Sequence, residues 1–441
     1  MKKVCAIFDI GKTNKKFFLF DEDYNIVFET AKNCIEIKDE DGFPCDNIVT
    51  MTQWIKDNLQ EKLKDENFDI KALNFSTYGA SFIHVGDNGQ PLTPLYNYLK
   101  PFPELYEEKF YNTYGSKEKI ALETASPALG LLNSGLQLYW LKNHRPEIFD
   151  KTRVSLHLPQ YLASLFHKKY LSDITSIGCH TALWNFRDNQ YHFWVSAETI
   201  DRKLAPLFGS DDVIPTTVAD KELLCGVGLH DSSAAFIPYI QGVQEPFVLI
   251  STGTWCITMN PFNNNPLTKE ELEQDCLCYM TYKSTPVKAS RLFAGYEHEQ
   301  ETKKMAAHFN KDLKYFVQVK YNPELINSTG FNTEPAGIFN CENYTTYEEA
   351  YHRFIGKLVK QQKKSTDLVL QNSPVKKIFV DGGFAKNDIY MNLLARAYPG
   401  YEVYAASVSQ ATALGAALAI HPHWNTRPIP DSLVAVSRYN N

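Results

Sequence analysis

The chain has 441 residues, with 45 Lys and Arg against 51 Asp and Glu and a formal net charge of −6. So small a charge on so long a chain argues against a nucleic-acid surface. Hydrophobic residues make up 44% and charged residues 22%, an ordinary globular composition that excludes disorder. The length exceeds what one hydrophobic core usually supports, so we expect two domains of roughly 200 residues each with a cleft between them.

Hydropathy and cysteine usage both predict a cytoplasmic protein. No apolar run approaches the ~20 residues of a membrane span, and the start Met-Lys-Lys leads into a strand rather than a secretory signal. We therefore expect a cytoplasmic protein without a membrane partner. The nine cysteines are odd in number, and Cys5, Cys225 and Cys256 lie in strand-like runs, which predicts reduced core cysteines. Cys276 and Cys278 have no matching Cys or His pair nearby, so we interpret them the same way rather than as zinc ligands.

The first half of the chain mixes strand and helix signals. A meander with a Gly turn at residue 11 opens the sequence, and helical spacing follows. Strands are predicted over residues 4–9, 16–21, 25–30 and 72–76, and helices over residues 48–63, 134–143 and 159–167. This mixture is typical of an α/β domain.

A similar pattern begins again near residue 246. PFVLISTGTWCITMNPF reads as strand, turn and strand, and CLCYMTYKS, residues 276–284, supplies a predicted third strand. Further on, VKKIFVDGG predicts a buried strand that ends at Asp381 before a Gly-Gly turn and a helix. In SQATALGAALAI, Gly415 lies inside a predicted helix despite the ~1 kcal/mol penalty of glycine. That glycine indicates close packing, either against a nucleotide base or against a neighbouring helix.

The first Gly turn carries a concentration of charged residues. FDIGKTNKKFFLFD, residues 8–21, places Asp9 at a strand end and Lys12, Lys15 and Lys16 around Gly11. One interpretation is an ordinary hairpin. The other is an anion site, in which the glycine admits a ligand to the backbone, turn amides and lysines attract phosphate, and the aspartate holds a metal.

Three Gly turns in this order, DIGKTN, STGTW and DGGFAKN, followed by ATALGAA, resemble the FGGY family of carbohydrate kinases within the actin-like ATPase superfamily. The resemblance spans essentially the whole chain. It implies an α/β fold with two actin-like (ribonuclease H-like) domains, residues 1–240 and 241–441, that flank an ATP cleft. ATP and Mg²⁺ are the implied cofactors and a small-molecule sugar is the implied partner, while a homodimer stays open.

The same resemblance implies roles for residues in the three turns. Asp9 helps hold Mg²⁺, and the residues implied to bind ATP and its phosphates are Gly11, Lys12, Thr13, Asn14, Lys16, Ser251, Thr252, Gly253, Thr254, Gly382, Gly383, Phe384 and Asn387. Family members commonly carry a small hydroxyl residue at position 12 and an arginine at position 16. We expect Lys12 to contact a phosphate, with a solvated turn lysine as the alternative. A lysine at position 16 lacks the planar guanidinium with which arginine can form two parallel hydrogen bonds to a phosphate.

A candidate base lies in GVGLHDSSAAFIPYI, residues 226–240. Its centre resembles the family segment that carries the catalytic aspartate, which implies Asp231 as the base. The adjacent histidine is typical of the branch that phosphorylates rhamnulose and fuculose. On reference pKa values alone, His230 is a rival base better matched to neutral pH. Asp231 would also suit a helix N-cap.

The sugar site departs from the family pattern. Residues 73–92 resemble the first-domain sugar segment, but serines 76 and 81 replace two acids and Tyr78 replaces a tryptophan. The family pattern Trp-x-Asp-x-Arg lacks its Asp and Arg at residues 96–100. Aromatic and amide side chains could still stack on a sugar or bind its hydroxyls, although such residues are often core. The predicted substrate-binding residues are Tyr78, Gly79, Phe82, Asn97, Tyr98, His230 and Asp231.

The sequence therefore predicts an ATP-dependent kinase for a terminal hydroxyl of a ketose, first of all a 6-deoxy ketose such as L-rhamnulose or L-fuculose. A xylulose or ribulose kinase is the alternative within this class. A sugar-sensing regulator on the same fold usually has a DNA-binding domain in front, for which a strand that starts at Val4 leaves no room. An actin-like or chaperone-type ATPase agrees poorly with the sequence, because HDSSAA resembles the kinase segment and the sequence shows no interaction tail.

Overall fold

The computed structural model describes residues 1–327 and 339–439. Within these ranges, two seven-stranded mixed sheets form the two halves of the molecule. The strands of the first sheet are, in chain order, Lys2–Ile10, Asn14–Asp21, Ile26–Asn33, Phe68–Thr77, Val213–Val218, Lys221–Gly226 and Leu229–His230. Those of the second sheet are Phe247–Thr252, Cys256–Asn260, Cys276–Met280, Pro286–Leu292, Lys377–Gly382, Glu402–Ser407 and Ala435–Tyr439. Four two-stranded ribbons pair Ile37–Lys38 with Pro44–Cys45, Phe82–Gly86 with Thr152–His157, Ser172–Asp173 with Leu207–Phe208, and Trp184–Asn185 with Gln190–Tyr191.

Each sheet is built around an antiparallel hairpin next to a parallel strand. In the first sheet, Lys2–Ile10 pairs antiparallel with Asn14–Asp21 and parallel with Phe68–Thr77. In the second, Phe247–Thr252 pairs antiparallel with Cys256–Asn260 and parallel with Lys377–Gly382. The repeat indicated by the two Gly turns is therefore a repeat of topology.

Helices cover the sheets. The predicted helix over residues 48–63 is confirmed to the residue: Asn47 caps its first turn, and Met51, Ile55 and Leu59 face the core. The α-helices among the described residues are Ile48–Leu63, Glu104–Tyr114, Lys117–Thr124, Ser134–His144, Pro146–Lys151, Leu158–His167, Ile174–Ile177, Phe193–Ala197, Asp231–Gly242, Lys269–Glu273, Ala294–His308, Glu324–Asn327, Tyr347–Leu370, Asp388–Ala397, Ala411–Ala419 and His421–Trp424. Short 3₁₀ turns lie at Gly130–Leu132, Ile200–Lys203, Tyr315–Gln318, Cys341–Asn343, Phe384–Lys386 and Asp431–Leu433. No helix in the described parts of the chain combines the length and apolar character needed to cross a bilayer.

Two helices join the halves. In Asp231–Gly242, Ala234 and Ile237 pack in a core with residues of the first sheet, whereas Phe236 and Tyr239 pack with residues of the second. Pro238 lies inside this helix. The predicted domain boundary after residue 240 falls in its last turn.

Helix Ala411–Ala419 crosses the first of these two at Gly415. A Cβ atom on Gly415 would lie 1.8 Å from the backbone oxygen of Ala234, so the backbones touch where the glycine stands. Of the two predicted neighbours, the helix is confirmed. The C-terminal part of the chain thereby packs on the first sheet, in a core shared with Cys5 and Ile7.

One strand of the second sheet was not predicted from the sequence. Residues 276–280 form a strand as expected, but this strand pairs with Pro286–Leu292 and not with the hairpin strand Cys256–Asn260. The strand beside the hairpin is Pro286–Leu292, whose charged Lys288 and Arg291 hide its apolar alternation. All nine cysteines lie in described residues and are free, and eight of them are buried, as predicted.

Candidate active site

Three strand ends of the first sheet meet in one row. Ile10 is in parallel register with Thr77, and Thr77 is in register with His230. Because the carboxyl ends of parallel strands open at the same edge, the turn after Ile10, the segment Tyr78–Gly79 and Asp231 leave the sheet side by side. The register thus places the predicted phosphate turn, sugar segment and base together.

A buried lysine shapes the first Gly turn. Lys15 is 1% exposed, and its Nζ donates to the carbonyl oxygens of Gly11 at 3.0 Å and Lys12 at 2.8 Å. Within a trans peptide the N–H points opposite to the C=O, so the amides of Lys12 and Thr13 point away from Lys15. Backbone amides that point outward from one turn are donors of the kind that bind anions.

The side chain of Lys12 is engaged within its own half of the molecule. Its Nζ lies 2.7 Å from Oδ2 of Asp46 and 3.0 Å from Oε1 of Glu36. Asp46 also accepts hydrogen bonds from Lys15 and from the hydroxyl of Tyr78, each at 2.8 Å. The predicted phosphate contact of Lys12 stays a prediction, and it requires the ammonium to be shared with or released from these acids.

In the second half, Thr252 locks two Gly turns together. Its carbonyl oxygen accepts from the amide of Gly383 at 2.9 Å, and its hydroxyl accepts from the amide of Phe384 at 2.9 Å. Gly382 has φ +91, and a Cβ there would lie 2.0 Å from the oxygen of Thr252. Only glycine fits this approach, so the STGTW and DGGF turns form one unit.

A cavity of about 550 Å³ opens beside this unit. Such a volume lies within the range of about 300–1,000 Å³ typical of small-molecule sites. Five predicted ATP-binding residues line the cavity: Thr252, Gly253, Gly383, Phe384 and Asn387. The other lining residues were not singled out by the sequence, and they include His298, Phe316, Val317, Lys320 and Lys386. The amide of Asn387 is itself bound to Tyr351 and caps the following helix.

The first turn of helix Ala411–Ala419 reaches the other half of the cleft. The hydroxyl of Thr412 donates to Oδ2 of Asp9 at 2.7 Å, and Nζ of Lys16 donates to Oε1 of Gln410 at 3.1 Å. These two contacts tie the first phosphate turn to the C-terminal part of the chain. The helix motif was visible in the sequence, but nothing in it pointed to these partners.

The electrostatics at Asp9 suit a divalent cation. Burial raises the pKa of Asp9 to about 6, and the negative charge of Asp231 adds to this rise. Two carboxylates that repel each other at a cleft edge are a charge arrangement that Mg²⁺ relieves, and carboxylate oxygens are ligands it prefers. The residues present therefore fit Mg²⁺, with Asp9 as the side chain that would hold it.

Asp231 is the first residue of the helix that joins the halves. Its side chain is 31% exposed, and Oδ1 accepts from the amide of Ser232 at 2.6 Å. Burial raises the pKa of Asp231 to about 6 and lowers the pKa of His230 to about 4. The order expected from reference values is thus reversed, and the aspartate is the better base at neutral pH. The N-cap position belongs to His230, one residue earlier than the alternative reading of Asp231 required.

Gly79 makes room for His230. A Cβ at residue 79 would lie 2.3 Å from Cδ2 of the imidazole, so a larger residue would displace the ring. Tyr78, the preceding residue, is buried and its hydroxyl donates to Asp46. Of the predicted sugar residues, the structure thus brings Tyr78, Gly79, His230 and Asp231 to one place.

Other predicted sugar residues serve the framework. Phe82 is fully buried and stacks on His157 with ring centroids 3.9 Å apart, so it has no surface to offer a sugar. The amide of Asn97 donates to the oxygen of Pro44 at 3.0 Å. Lys100, at the family's arginine position, binds Asp39 at 2.7 Å. The Asn97 amide and the Lys100 ammonium therefore connect segments of the first half to each other.

The family match follows the geometry. Residues 4–230 match the FGGY family of carbohydrate kinases, N-terminal domain, and residues 244–428 match carbohydrate kinase FGGY, C-terminal domain. The chain belongs to the FGGY family of carbohydrate kinases.

Individual relatives are distant. The chain is 24% identical over 213 residues to a rhamnulokinase from Oceanobacillus iheyensis, an alignment that covers 44% of this chain and 42% of that protein. It is 20% identical over 452 residues to an L-fuculokinase from Haemophilus influenzae, covering 94% and 93%. The alignment thus spans less than half of the rhamnulokinase but nearly all of the fuculokinase.

Solved structures share the fold over the full length. A carbohydrate kinase from Novosphingobium aromaticivorans superposes with a TM-score of 0.81 at 23% identity, covering 99% of this chain and 96% of that one. A ligand-bound xylulose kinase from Lactobacillus acidophilus gives 0.77 at 16% identity, covering 99% and 94%. These likenesses confirm the predicted two-domain α/β fold of the actin-like kind.

Proposed function

We propose that the protein transfers the γ-phosphoryl group of ATP to a terminal hydroxyl of a sugar, with Asp231 as the general base. The observation that carries the proposal is the register row at the edge of the first sheet, where Asp231 lies beside the first Gly turn. Phosphoryl transfer needs donor and acceptor held in line and charge neutralised on the phosphate oxygens. The outward amides of Lys12 and Thr13 and the paired turns around Thr252 supply this from opposite halves.

The base acts at one defined atom. Oδ1 of Asp231 is held by Ser232, and among the described residues Oδ2 accepts no hydrogen bond. Oδ2 takes the proton of the sugar hydroxyl as its oxygen attacks the γ-phosphorus, and ADP leaves on the opposite side. When bound, Mg²⁺ neutralises charge on the phosphate oxygens. His230 stays neutral beside the base and offers a hydrogen bond to the sugar rather than a proton sink.

For the sugar, we propose a ketose, first of all a 6-deoxy ketose such as L-rhamnulose or L-fuculose. Support comes from the His230–Asp231 pair and from the relatives named rhamnulokinase and L-fuculokinase. A pentulose such as xylulose or ribulose is the second candidate, because structures named xylulose kinase share the fold over nearly the whole chain. We place the protein in the cytoplasm, where ATP is present and nine free cysteines stay reduced.

A coupled assay of ADP release tests the proposal. The panel contains L-rhamnulose, L-fuculose, D-xylulose and D-ribulose, together with aldoses and polyols, each with Mg²⁺ and ATP. The expected result is sugar-dependent ADP release that is highest with one 6-deoxy ketose. Highest activity with a pentulose would move the substrate to the second candidate. Binding of a sugar without turnover of any would overturn the kinase proposal in favour of a sensing role.

A further inference from the structure

A thiol and two imidazoles form a cluster beside the proposed base. Cys179, His180 and His230 each offer one ligating atom, and these atoms all lie within 4.8 Å of one another. Across the described ranges, it is the one group of three or more His, Cys, Asp or Glu side chains with this spacing. One sulfur with two imidazole nitrogens is a ligand set that suits Zn²⁺.

Both histidines of the cluster carry a buried ring nitrogen without a partner. Nδ1 of His180 and Nδ1 of His230 are shielded from solvent, and neither finds a hydrogen-bond partner in the described part of the chain. Burying a polar atom unpaired is unfavourable, so such pairs of atoms are rare without a ligand or a function. Nearby His157 shows the ordinary arrangement, because its Nε2 is paired with the hydroxyl of Ser134 at 2.9 Å.

The backbone fixes both histidines in place. His180 has φ +44, a left-handed conformation that is uncommon outside glycine. Its backbone carbonyl accepts a hydrogen bond from the side-chain amide of Asn133 at 2.8 Å. The backbone amide of His230 donates to the hydroxyl of Thr175 at 3.0 Å. Cys179 forms an isolated bridge with Tyr279 of the second sheet, so the cluster lies where the two halves meet.

We propose that Cys179, His180 and His230 bind Zn²⁺ with the carboxylate of Asp231 as the fourth ligand, and that the bound ion blocks phosphoryl transfer. Oδ1 of Asp231 lies 3.6 Å from Nδ1 of His230. Tetrahedral zinc, with Zn–S of about 2.3 Å and Zn–N of about 2.0–2.1 Å, places ligand atoms about 3.3–3.6 Å apart. The ligand atoms of Cys179, His180 and His230 therefore move together by about 1 Å, a movement open to the partly exposed His180, and Asp231 joins them from its place beside His230. The thiol loses its proton to solvent on binding.

The position of the cluster next to Asp231 determines what a bound ion would do. An ion held there engages the base and its neighbour at once, and a sugar at the same place competes with it. The blocking effect rests on the proposed kinase function, whereas the binding itself does not.

Cobalt(II) tests the binding directly, since it replaces zinc and reports thiolate ligation by a charge-transfer absorption band. The full-length protein, stripped of metal with a chelator, is titrated with Co²⁺ without ATP or sugar, and Zn²⁺ is then added as the competitor. We expect one equivalent of Co²⁺ with a thiolate band that Zn²⁺ abolishes. The band should disappear in Cys179→Ser, and affinity should fall at least about 10-fold in His180→Gln.

Two control variants distinguish this site from nonspecific binding of the metal ion. Cys34→Ser removes the one partly exposed cysteine, and His308→Gln removes an exposed histidine at a helix end. Both should keep the band and the affinity, and circular dichroism confirms that every variant is folded. Absence of a thiolate band in the wild type, or a band that survives in folded Cys179→Ser while His180→Gln binds normally, would overturn the proposal.

Inhibition is measured with whichever sugar is phosphorylated. The Zn²⁺ concentration that halves the rate, taken relative to each variant's own uninhibited rate, should rise at least about 10-fold in His180→Gln and stay unchanged in His308→Gln. Added sugar should raise it in the wild type. If no sugar is phosphorylated, the cobalt band still decides the site. If a kinase with the cobalt band is not inhibited, the blocking role is wrong.

Discussion

Lys12 donates a hydrogen bond from Nζ to Oδ2 of Asp46 at 2.7 Å, across the mouth of the first Gly turn. The same carboxylate accepts from Lys15 and Tyr78, so one buried acid links the phosphate turn to the sugar segment. Asp46 is 2% exposed and Lys15 is 1% exposed. The chemistry of the turn therefore depends on a charge 34 residues away in the sequence.

Lys12→Ala should weaken the use of ATP. A hydrogen bond to a charged group contributes about 1.5–3 kcal/mol, so we expect kcat/KM for ATP to fall about 10- to 100-fold. The measurement is the ADP-release rate against ATP concentration at saturating sugar. Lys32→Ala, which removes an exposed lysine from the neighbouring strand, should leave the rate unchanged. Unchanged ATP kinetics in Lys12→Ala with a lower melting temperature would show that the lysine serves only its ion pairs.

Asp46→Asn should destabilise the fold, and the loss should depend on pH. Burial alone would raise the pKa of Asp46, but the bonds from Lys12 and Lys15 hold it below its ordinary value. The stabilisation is therefore present above the unfolded-state pKa of about 3.9 and is lost as pH falls through the lower folded-state pKa. At pH 7 the variant leaves Lys15 buried without its anion, which costs about 3–5 kcal/mol.

Urea unfolding at a series of pH values measures this difference. The free energies of unfolding of wild type and Asp46→Asn should differ most at pH 7 and converge below pH ~4. Asp87→Asn, at an exposed turn, should stay within about 0.5 kcal/mol of wild type throughout. A gap that stays constant down to pH 3 would show that the carboxylate's charge is not what stabilises the turn.

Gly415→Ala should destabilise the joint between the halves. Alanine is favoured over glycine inside a helix by ~1 kcal/mol, but a methyl group here would lie 1.8 Å from the oxygen of Ala234. Pushing two helices apart costs about 1–3 kcal/mol, so the net change is a loss. Thermal and urea unfolding measure it.

Gly356→Ala is the matched control, since Gly356 lies inside helix Tyr347–Leu370 and a Cβ there would have nothing within 4 Å. That variant should gain about 0.5–1 kcal/mol from helix propensity. Equal stabilisation of both variants would mean that the helices at residue 415 part without cost.

The fold could be predicted because its signals are local. Each half starts with an apolar run, a Gly turn and a second apolar run, and such a hairpin can be recognised from about 20 consecutive residues. Helix Ile48–Leu63 was predicted to the residue because its apolar residues recur at helical spacing, and the structure shows Met51, Ile55 and Leu59 on its buried face. Pro286–Leu292 was missed because Lys288 is drawn into the strand by Glu271, an acid on a separate helix.

The site could be predicted only in part, because its side chains are held by long-range partners. The Gly turns predicted which backbone segments would form the proposed phosphate sites. The role of Lys15 depends on Asp46, and the partner of Asp9 is Thr412 at the far end of the chain. Phe82 matches the family's sugar segment in sequence, yet its register against His157 turns it into the core. No local pattern carries these relationships.

Asp231→Asn should leave folding and ATP binding intact and lower kcat by about 10²-fold or more, the scale of general-base loss. The amide keeps the shape of the carboxylate and the hydrogen bond to Ser232, so the melting temperature should change little. Rates at saturating ATP and sugar provide the measurement. A kcat within about threefold of wild type would transfer the role to His230, and His230→Gln would then carry the larger loss.

The last prediction concerns closure of the cleft. The two proposed phosphate sites lie on different sheets, and helix Asp231–Gly242, which carries the proposed base, has one face in each core. The Gly242–Val243 segment that follows leads into the second sheet and is the expected hinge. Closure around the γ-phosphate also keeps water from the phosphoryl group, so ATP alone should be hydrolysed slowly.

Only ATP and sugar together should favour the closed state, because the sugar touches the first half while ATP reaches the second. Small-angle scattering of Asp231→Asn with both ligands should show a smaller radius of gyration than with either ligand alone, since this variant binds both but turns them over slowly. The wild type with a non-hydrolysable ATP analogue and the sugar should give the same compaction. Scattering profiles that superimpose with and without both ligands, for a sugar already shown to be phosphorylated, would mean that the site is preformed and the hinge does not move.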